Sequence, residues 1–143
     1  MRQLIYLTAL TFCILSVSCT KTAVPVDLAT CCKIENEKKY VEISGYLDDG
    51  GFMSCSGRDG CIQCGMDLAE MPKTAKGLSV YVEEGDGANK ISKINGSYKR
   101  DELKIHDNSG NVISLNDKVK VTGEMNVLPD GSFCFLEISK IEK

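Results

Sequence analysis

The chain of 143 residues has no tryptophan, three prolines and a single histidine, and Tyr and Phe together make only 6% of it. With His106 alone, no His-rich metal centre can be assembled, and no Ser/His/Asp set can be assembled with any specificity. His106 falls on the polar face of a strand carrying Leu103 and Ile105, where a solvated imidazole is expected. Basic charge is also scarce. Nucleic-acid binders concentrate positive charge because phosphate contacts supply much of their affinity, whereas here 17 basic residues face 20 acidic ones. The only local basic clusters, Lys38-Lys39 and Lys99-Arg100, read as solvated surface, and nucleic acid is not an expected partner. A further shortage is of long apolar runs. A spanning helix needs about 20 apolar residues, and the longest candidate, Leu4 to Val17, falls short and contains two Thr and a Ser.

What that run does have is Arg2 before it and small residues after it, leading into Cys19. A charged start, a short apolar segment and a small-residue boundary are the marks of a secretory signal. The ending Leu15-Ser16-Val17-Ser18-Cys19 resembles the lipobox of bacterial lipoproteins. The resemblance implies that residues 1–18 are a lipoprotein signal peptide and that Cys19 becomes the lipidated first residue, the site of palmitate or a similar acyl group. It also implies a location at a bacterial cell envelope, facing the periplasm or exterior, with the membrane as a partner through the lipid anchor. Without Arg2 the remaining chain carries a net charge of −4. About 125 residues are left, the size of one domain with a single core.

From Thr20 to Glu37 no period of 2 or 3.6 is sustained, and residues 19–37 read as the lipidated Cys and a tether. Residues 38–143 read as the folded domain. In Tyr40 to Leu47, Val41, Ile43 and Leu47 share one face, and Glu42 and Ser44 the other, the period of a half-buried strand. Leu78 to Glu83, Lys118 to Val127 and Phe133 to Ile138 repeat the alternation. A shorter pair, Leu103 to Asp107 and Val112 to Leu115, flanks the turn signal Asn108-Ser109-Gly110-Asn111. Leu128-Pro129-Asp130-Gly131-Ser132 is a second hairpin loop. Helix signals are thin: Gly65 to Ala75 offers a short stripe of Met66, Leu68, Ala69 and Met71 that Pro72 interrupts.

Many short strands with turn signals between them predict an all-β domain. Residues 103–141, "LKIHDNSGNVISLNDKVKVTGEMNVLPDGSFCFLEISKI", resemble the back half of an oligonucleotide/oligosaccharide-binding (OB) fold, and "VEISGYL" at 41–47 resembles its first strand. The resemblance implies a five- to six-stranded OB-like barrel with a long Cys-rich loop from Asp48 to Gly77. Gly45 and Gly123 would bend strands of that barrel, and Val41, Ile43, Val80, Val82, Val119, Val121, Leu136 and Ile138 would fill it. The helix often found before the fourth strand of such barrels has no counterpart between Val112 and Lys118, so an eight-strand sandwich or a jelly-roll-like variant stays open.

Cysteine carries the chemistry. Of eight cysteines, Cys13 leaves with the signal and Cys19 is the acylation site, so Cys31, Cys32, Cys55, Cys61, Cys64 and Cys134 remain. An even number in an exported domain reads first as disulfides, with at least one bridge involving Cys55, Cys61 or Cys64, for which the tether brings Cys31 or Cys32 alongside as partner. Cys134 shares an inward face with Leu136 and Ile138, which makes it an apolar thiol or a buried bridge. The alternative is metal. In "CIQCGM", Cys61 to Met66, two sulfurs in a Cys-x-x-Cys spacing and a thioether suit soft ions, and the string resembles the Cys-x-x-Cys-Gly-Met element of copper-handling lipoproteins. Cys55, Cys61, Cys64 and Met66 would then hold copper or zinc, with Cys31 or Cys32 as a further ligand; under the disulfide reading no cofactor is expected.

Tyr40, Tyr46, Tyr81, Phe133 and Phe135 fall opposite the core set; the first reading is that the Cys-rich loop from Asp48 to Gly77 lies over them, and the alternative is a ligand face, since aromatics on a barrel's exterior can stack on bases or sugars. No catalytic residues are assigned. The functional expectation is a cell-envelope lipoprotein acting as a non-enzymatic binding or structural module, with another envelope protein or a glycan as partner; the alternative is a soft-metal handling protein using the segment Cys55 to Met66.

Overall fold

The computed structural model describes residues 21–58, 60–74 and 77–143. Residues 1–18, expected to be a signal peptide, and Cys19 lie outside the described residues. Nine strands form: β1 (Val24–Pro25), β2 (Tyr40–Asp48), β3 (Ser54–Arg58), β4 (Cys61–Ala69), β5 (Leu78–Glu83), β6 (Ile105–His106), β7 (Val112–Ile113), β8 (Lys118–Val127) and β9 (Cys134–Glu142). Five of them, in the order β2-β8-β9-β5-β4, make a barrel that closes where Tyr46, Leu47 and Asp48 pair with Ala69, Leu68 and Asp67. β5 and β9 run parallel and the other barrel pairs antiparallel. This closed small barrel is compatible with an OB-like fold, and the sandwich and jelly-roll alternatives fall away with the closure.

Alternation decides what fills the barrel. Val41, Ile43, Val80, Val82, Val119, Val121, Leu136 and Ile138 are all buried, joined by Met125 and Ile141. Each such side chain contributes roughly 1.5–3 kcal/mol by leaving water. Closure of so few strands demands sharp bends, and two glycines allow them. A Cβ on Gly45 would lie 2.8 Å from the Ala69 carbonyl oxygen, and one on Gly123 would lie 2.0 Å from that of Glu137. Gly123 sits at the register shift between β8 and β9, a bulge that bends the strand.

Three sequence expectations are corrected. The short helix over Gly65 to Ala75 is instead the second half of β4 and the turn beyond it, because Cys64, Met66 and Leu68 also recur every second residue and pairing with β5 on one side and β2 on the other takes up their backbone groups. The Cys-rich segment from Asp48 to Gly77 is not a loop over the barrel: β3 pairs with β4 in register from Ser54↔Gly65 to Arg58↔Cys61, a hairpin extending the sheet. The tether from residue 21 onward is not a free linker. β1 pairs in parallel with β2 at Val24↔Val41, along the part of the β2 edge that β4 does not reach. Two 3-10 turns, Leu28–Thr30 and Ile34–Asn36, follow. Cys31 is 1% exposed there, and the Asn36 side-chain amide donates to the carbonyls of Thr30 and Cys31.

The two predicted hairpin loops form. Asp107 accepts the amide N–H groups of Ser109 and Asn111 in the β6–β7 turn, and Gly131 takes the positive φ needed between β8 and β9. The connection from β5 to β8 buries Ile91, Leu103, Ile105, Ile113 and Leu115. Between Val112 and Lys118, where no helix was expected, lie β7 and a turn; a 3-10 turn at Arg100–Glu102 stands ahead of β6.

Candidate functional site

Strand direction gives the barrel two unlike ends. At the upper end lie the last residues of β2 and β5 and the first of β4 and β8; at the lower end lie the first residues of β2, β5 and β9. The upper end carries a cavity of about 460 Å³, bounded by the β2–β3 connection, Cys55, Glu84 and the loop of residues 94–100. Phe52, Met53, Ile94 and Tyr98 make its apolar walls, and Phe52 is 81% exposed at its mouth. A volume of this size, mostly apolar with few polar groups, is that of a small-molecule pocket.

A polar clasp holds the cavity in shape. Arg100 donates two hydrogen bonds to Asp48, at 2.7 Å to Oδ2 and 3.0 Å to Oδ1, and a third to Asp49. The Tyr98 hydroxyl donates to Asp49 Oδ2 at 3.1 Å while accepting the Met53 N–H at 2.8 Å. Asp48 and Asp49 are both buried, and Gly50 N–H completes the Asp48 shell. Hydrogen bonds from Arg100 hold the Asp48 carboxyl below the ordinary carboxylate range, and the carboxylates raise the guanidinium in return. Asp67, register partner of Asp48, shifts the other way: burial first, then the Asp48 charge, pushes its carboxyl up. Among the described residues that line it, Asp49 and Glu84 outnumber Arg100, so the mouth is acidic and this cation is already paired.

Sequence reasoning missed this clasp. Lys99-Arg100 was read as solvated charge, but Arg100 is half-buried across two carboxylates. The available signal was the pair Asp48-Asp49 at the end of an apolar strand: two adjacent carboxylates that burial would oblige to find a cation. His106 is also more engaged than a solvated imidazole, with Nε2 3.0 Å from Ser92 Oγ and Nδ1 3.2 Å from the Gly110 carbonyl oxygen.

The six cysteines separate into two groups. Cys55 and Cys64 face each other across β3 and β4 and are bridged, with Cα atoms 4.0 Å apart, so a bridge in this segment forms, but within the hairpin and not to Cys31 or Cys32, because strand pairing sets these two sulfurs directly opposite each other. Cys61 stays a free, exposed thiol. In a strand, positions three apart point to opposite faces, which puts Cys61 on one side of β4 and Cys64 and Met66 on the other. The Cys-x-x-Cys pair therefore neither bridges nor gathers on one ion here, and the set Cys55, Cys61, Cys64 and Met66 is not brought together. At the lower end Cys134, buried as expected, is bridged to Cys32, a separation of 102 residues. Cys31 is free and buried beside that bridge, its Sγ 3.8 Å from Cys32 Sγ. Burial pushes the Cys31 thiol up, while the amides of Cys31 and Cys32 pull the other way; the thiol donates to the Leu28 carbonyl oxygen at 3.0 Å.

The aromatic face divides as well. Tyr81 meets Phe135 edge-on at 5.3 Å between centroids, and Phe133 lies 6.0 Å from Phe135, an outward cluster on β5 and β9. Tyr40 and Tyr46 lie apart on β2, and the Tyr40 hydroxyl is 2.5 Å from Ser139 Oγ. The β3–β4 hairpin does not cover Phe133, which is 45% exposed. No known protein family, curated protein or solved structure matches this chain.

Proposed function

We propose that the chain is a cell-envelope lipoprotein, anchored through Cys19, whose barrel is a non-enzymatic binding module taking a small ligand at its upper end. The observation that carries the binding role is the 460 Å³ cavity walled by Phe52, Met53, Ile94 and Tyr98. Its chemistry narrows the ligand. Arg100 is committed to Asp48 and Asp49, so among the described lining residues an anion finds no free cation and meets the carboxylates of Asp49 and Glu84. A neutral or cationic molecule with an apolar body fits: Phe52 and Ile94 would contact the body, and backbone and carboxylate oxygens at the rim would accept from its polar end.

Uncharged Nile red and anionic anilinonaphthalene sulfonate, titrated into detergent-free Cys19→Ser protein, test the reading. Saturable one-to-one binding of Nile red is expected, stronger than that of the anionic dye and weakened by both Phe52→Ser and Ile94→Ser. Nile red binding that ignores both substitutions overturns the assignment of the pocket. For the anchor, wild-type protein should partition with membranes and incorporate a fatty-acid probe, and Cys19→Ser should do neither.

A further inference from the structure

We propose that Cys31, Cys32 and Cys134 form a three-thiolate site for copper(I), closed as long as Cys32 and Cys134 are bridged and opened by reduction. The three Sγ atoms lie within 4.8 Å of one another, and no fourth His, Cys, Asp or Glu among the described residues joins the group. Sulfurs that ligate one ion trigonally at bond lengths near 2.3 Å sit roughly 4.0 Å apart, and Cys31 Sγ and Cys32 Sγ are separated by 3.8 Å. Three sulfurs without a fourth donor suit trigonal copper(I), whereas structural zinc takes four ligands. This site is separate from the upper-end cavity and does not depend on what binds there.

Three features prepare the place. The tether segment is held by Asn36, whose side chain bonds the carbonyls of Thr30 and Cys31 and fixes both cysteines against the start of β9. Cys31 and Cys32 also line a cavity of about 290 Å³ that opens beside Met71 and Glu70, giving a soft ion an approach past a thioether. Cys32 is exposed, so water carries part of the negative charge of three thiolates on one monovalent ion.

The chemistry balances with a two-electron reductant. A dithiol breaks the Cys32–Cys134 bond, delivers two electrons and two protons, and leaves as its own cyclic disulfide. Each of the three thiols then gives up its proton as its sulfur ligates copper. Reoxidation of Cys32 with Cys134 by a disulfide, which takes up the two electrons with two protons from solvent and leaves as a dithiol, removes two of three ligands and expels the ion. Metal and disulfide are thus mutually exclusive states of one sulfur cluster.

The test uses the mature chain, reduced anaerobically with a phosphine and titrated with copper(I) against bathocuproine disulfonate. One tightly held equivalent is expected after reduction and none before it. Copper loading should protect Cys31, Cys32 and Cys134 from maleimide, read peptide by peptide in the mass spectrometer, and leave Cys61 labelled. Cys31→Ser keeps the structural bridge and should weaken binding beyond the roughly 10- to 100-fold that loss of a supporting group costs. Binding by the unreduced chain, unchanged binding in Cys31→Ser, or protection that maps to Cys55, Cys61 and Cys64 would overturn the site. Protection mapping needs no substitution, so the result stands even if a variant folds poorly.

Discussion

Arg100 grips Asp48 with both arms of its guanidinium, at 2.7 and 3.0 Å, and so ties the connection between β5 and β8 to the end of β2. A bidentate pair of this kind fixes geometry as well as charge. It joins elements 52 residues apart in sequence, and the cavity lies against it.

Arg100→Met removes the cation and leaves Asp48 and Asp49 buried without it. The cost should be about 1–3 kcal/mol in urea unfolding, below that of breaking a fully buried pair because a third of the Arg100 side chain meets solvent. Adding Asp48→Asn and Asp49→Asn to Arg100→Met should recover part of the loss. No recovery would mean that the clasp acts by packing alone.

The two opposed carboxylates give opposite pH dependences. Asp48 is lowered in the folded state, so its contribution is present above the unfolded carboxylate pKa and is lost as pH falls through the folded value. Asp67 is raised, so it favours the fold below the unfolded value, and that contribution is lost as pH rises through its folded pKa. Asp67→Asn should therefore stabilise the protein near neutral pH by up to about 1 kcal/mol, the scale of a cross-strand pair of like charges. The gain should vanish in acid, and unfolding curves at several pH values would read it directly.

The bridges differ in the length of chain they close. Cys32–Cys134 spans 102 residues and Cys55–Cys64 spans nine. Restriction of the unfolded chain grows with loop length, giving about 4.5 kcal/mol for the first and about 2.5 kcal/mol for the second. Cys134→Ser should accordingly lower stability more than Cys64→Ser. The reverse order in guanidinium unfolding would show that the β3–β4 bridge acts through native packing.

Thiol labelling should separate the two free cysteines. Cys61 is exposed and should react with iodoacetamide in native protein; Cys31 is buried with its thiol pushed up, so little thiolate is present to react. Cys31 should label only after unfolding. Equal labelling of the two in native conditions would contradict the packed placement of the tether.

Much of the barrel was legible along the chain. Val119 and Val121, or Val41 and Ile43, alternate with polar neighbours, and a period of 2 has one physical meaning wherever one face is buried. Gly45 and Gly123 were legible for a related reason: a glycine inside such a pattern marks a place where another backbone comes close. Gly65 to Ala75 was ambiguous because Met66, Leu68 and Met71 satisfy parts of both periods, and pairing with β5 and β2 decided between them.

The sequence by itself determined the alternation, the turns, the shortage of histidine and the supply of sulfur. Only the tertiary structure decided which sulfurs meet and which charges pair. A Cys-x-x-Cys spacing has no fixed geometry until its backbone is known, and on β4 it sends Cys61 and Cys64 to opposite faces. Cys31, Cys32 and Cys134 converge for the complementary reason. Burial and ion pairing depend on distance in space, which closure of the barrel brings below 5 Å for sulfurs 102 residues apart in the chain.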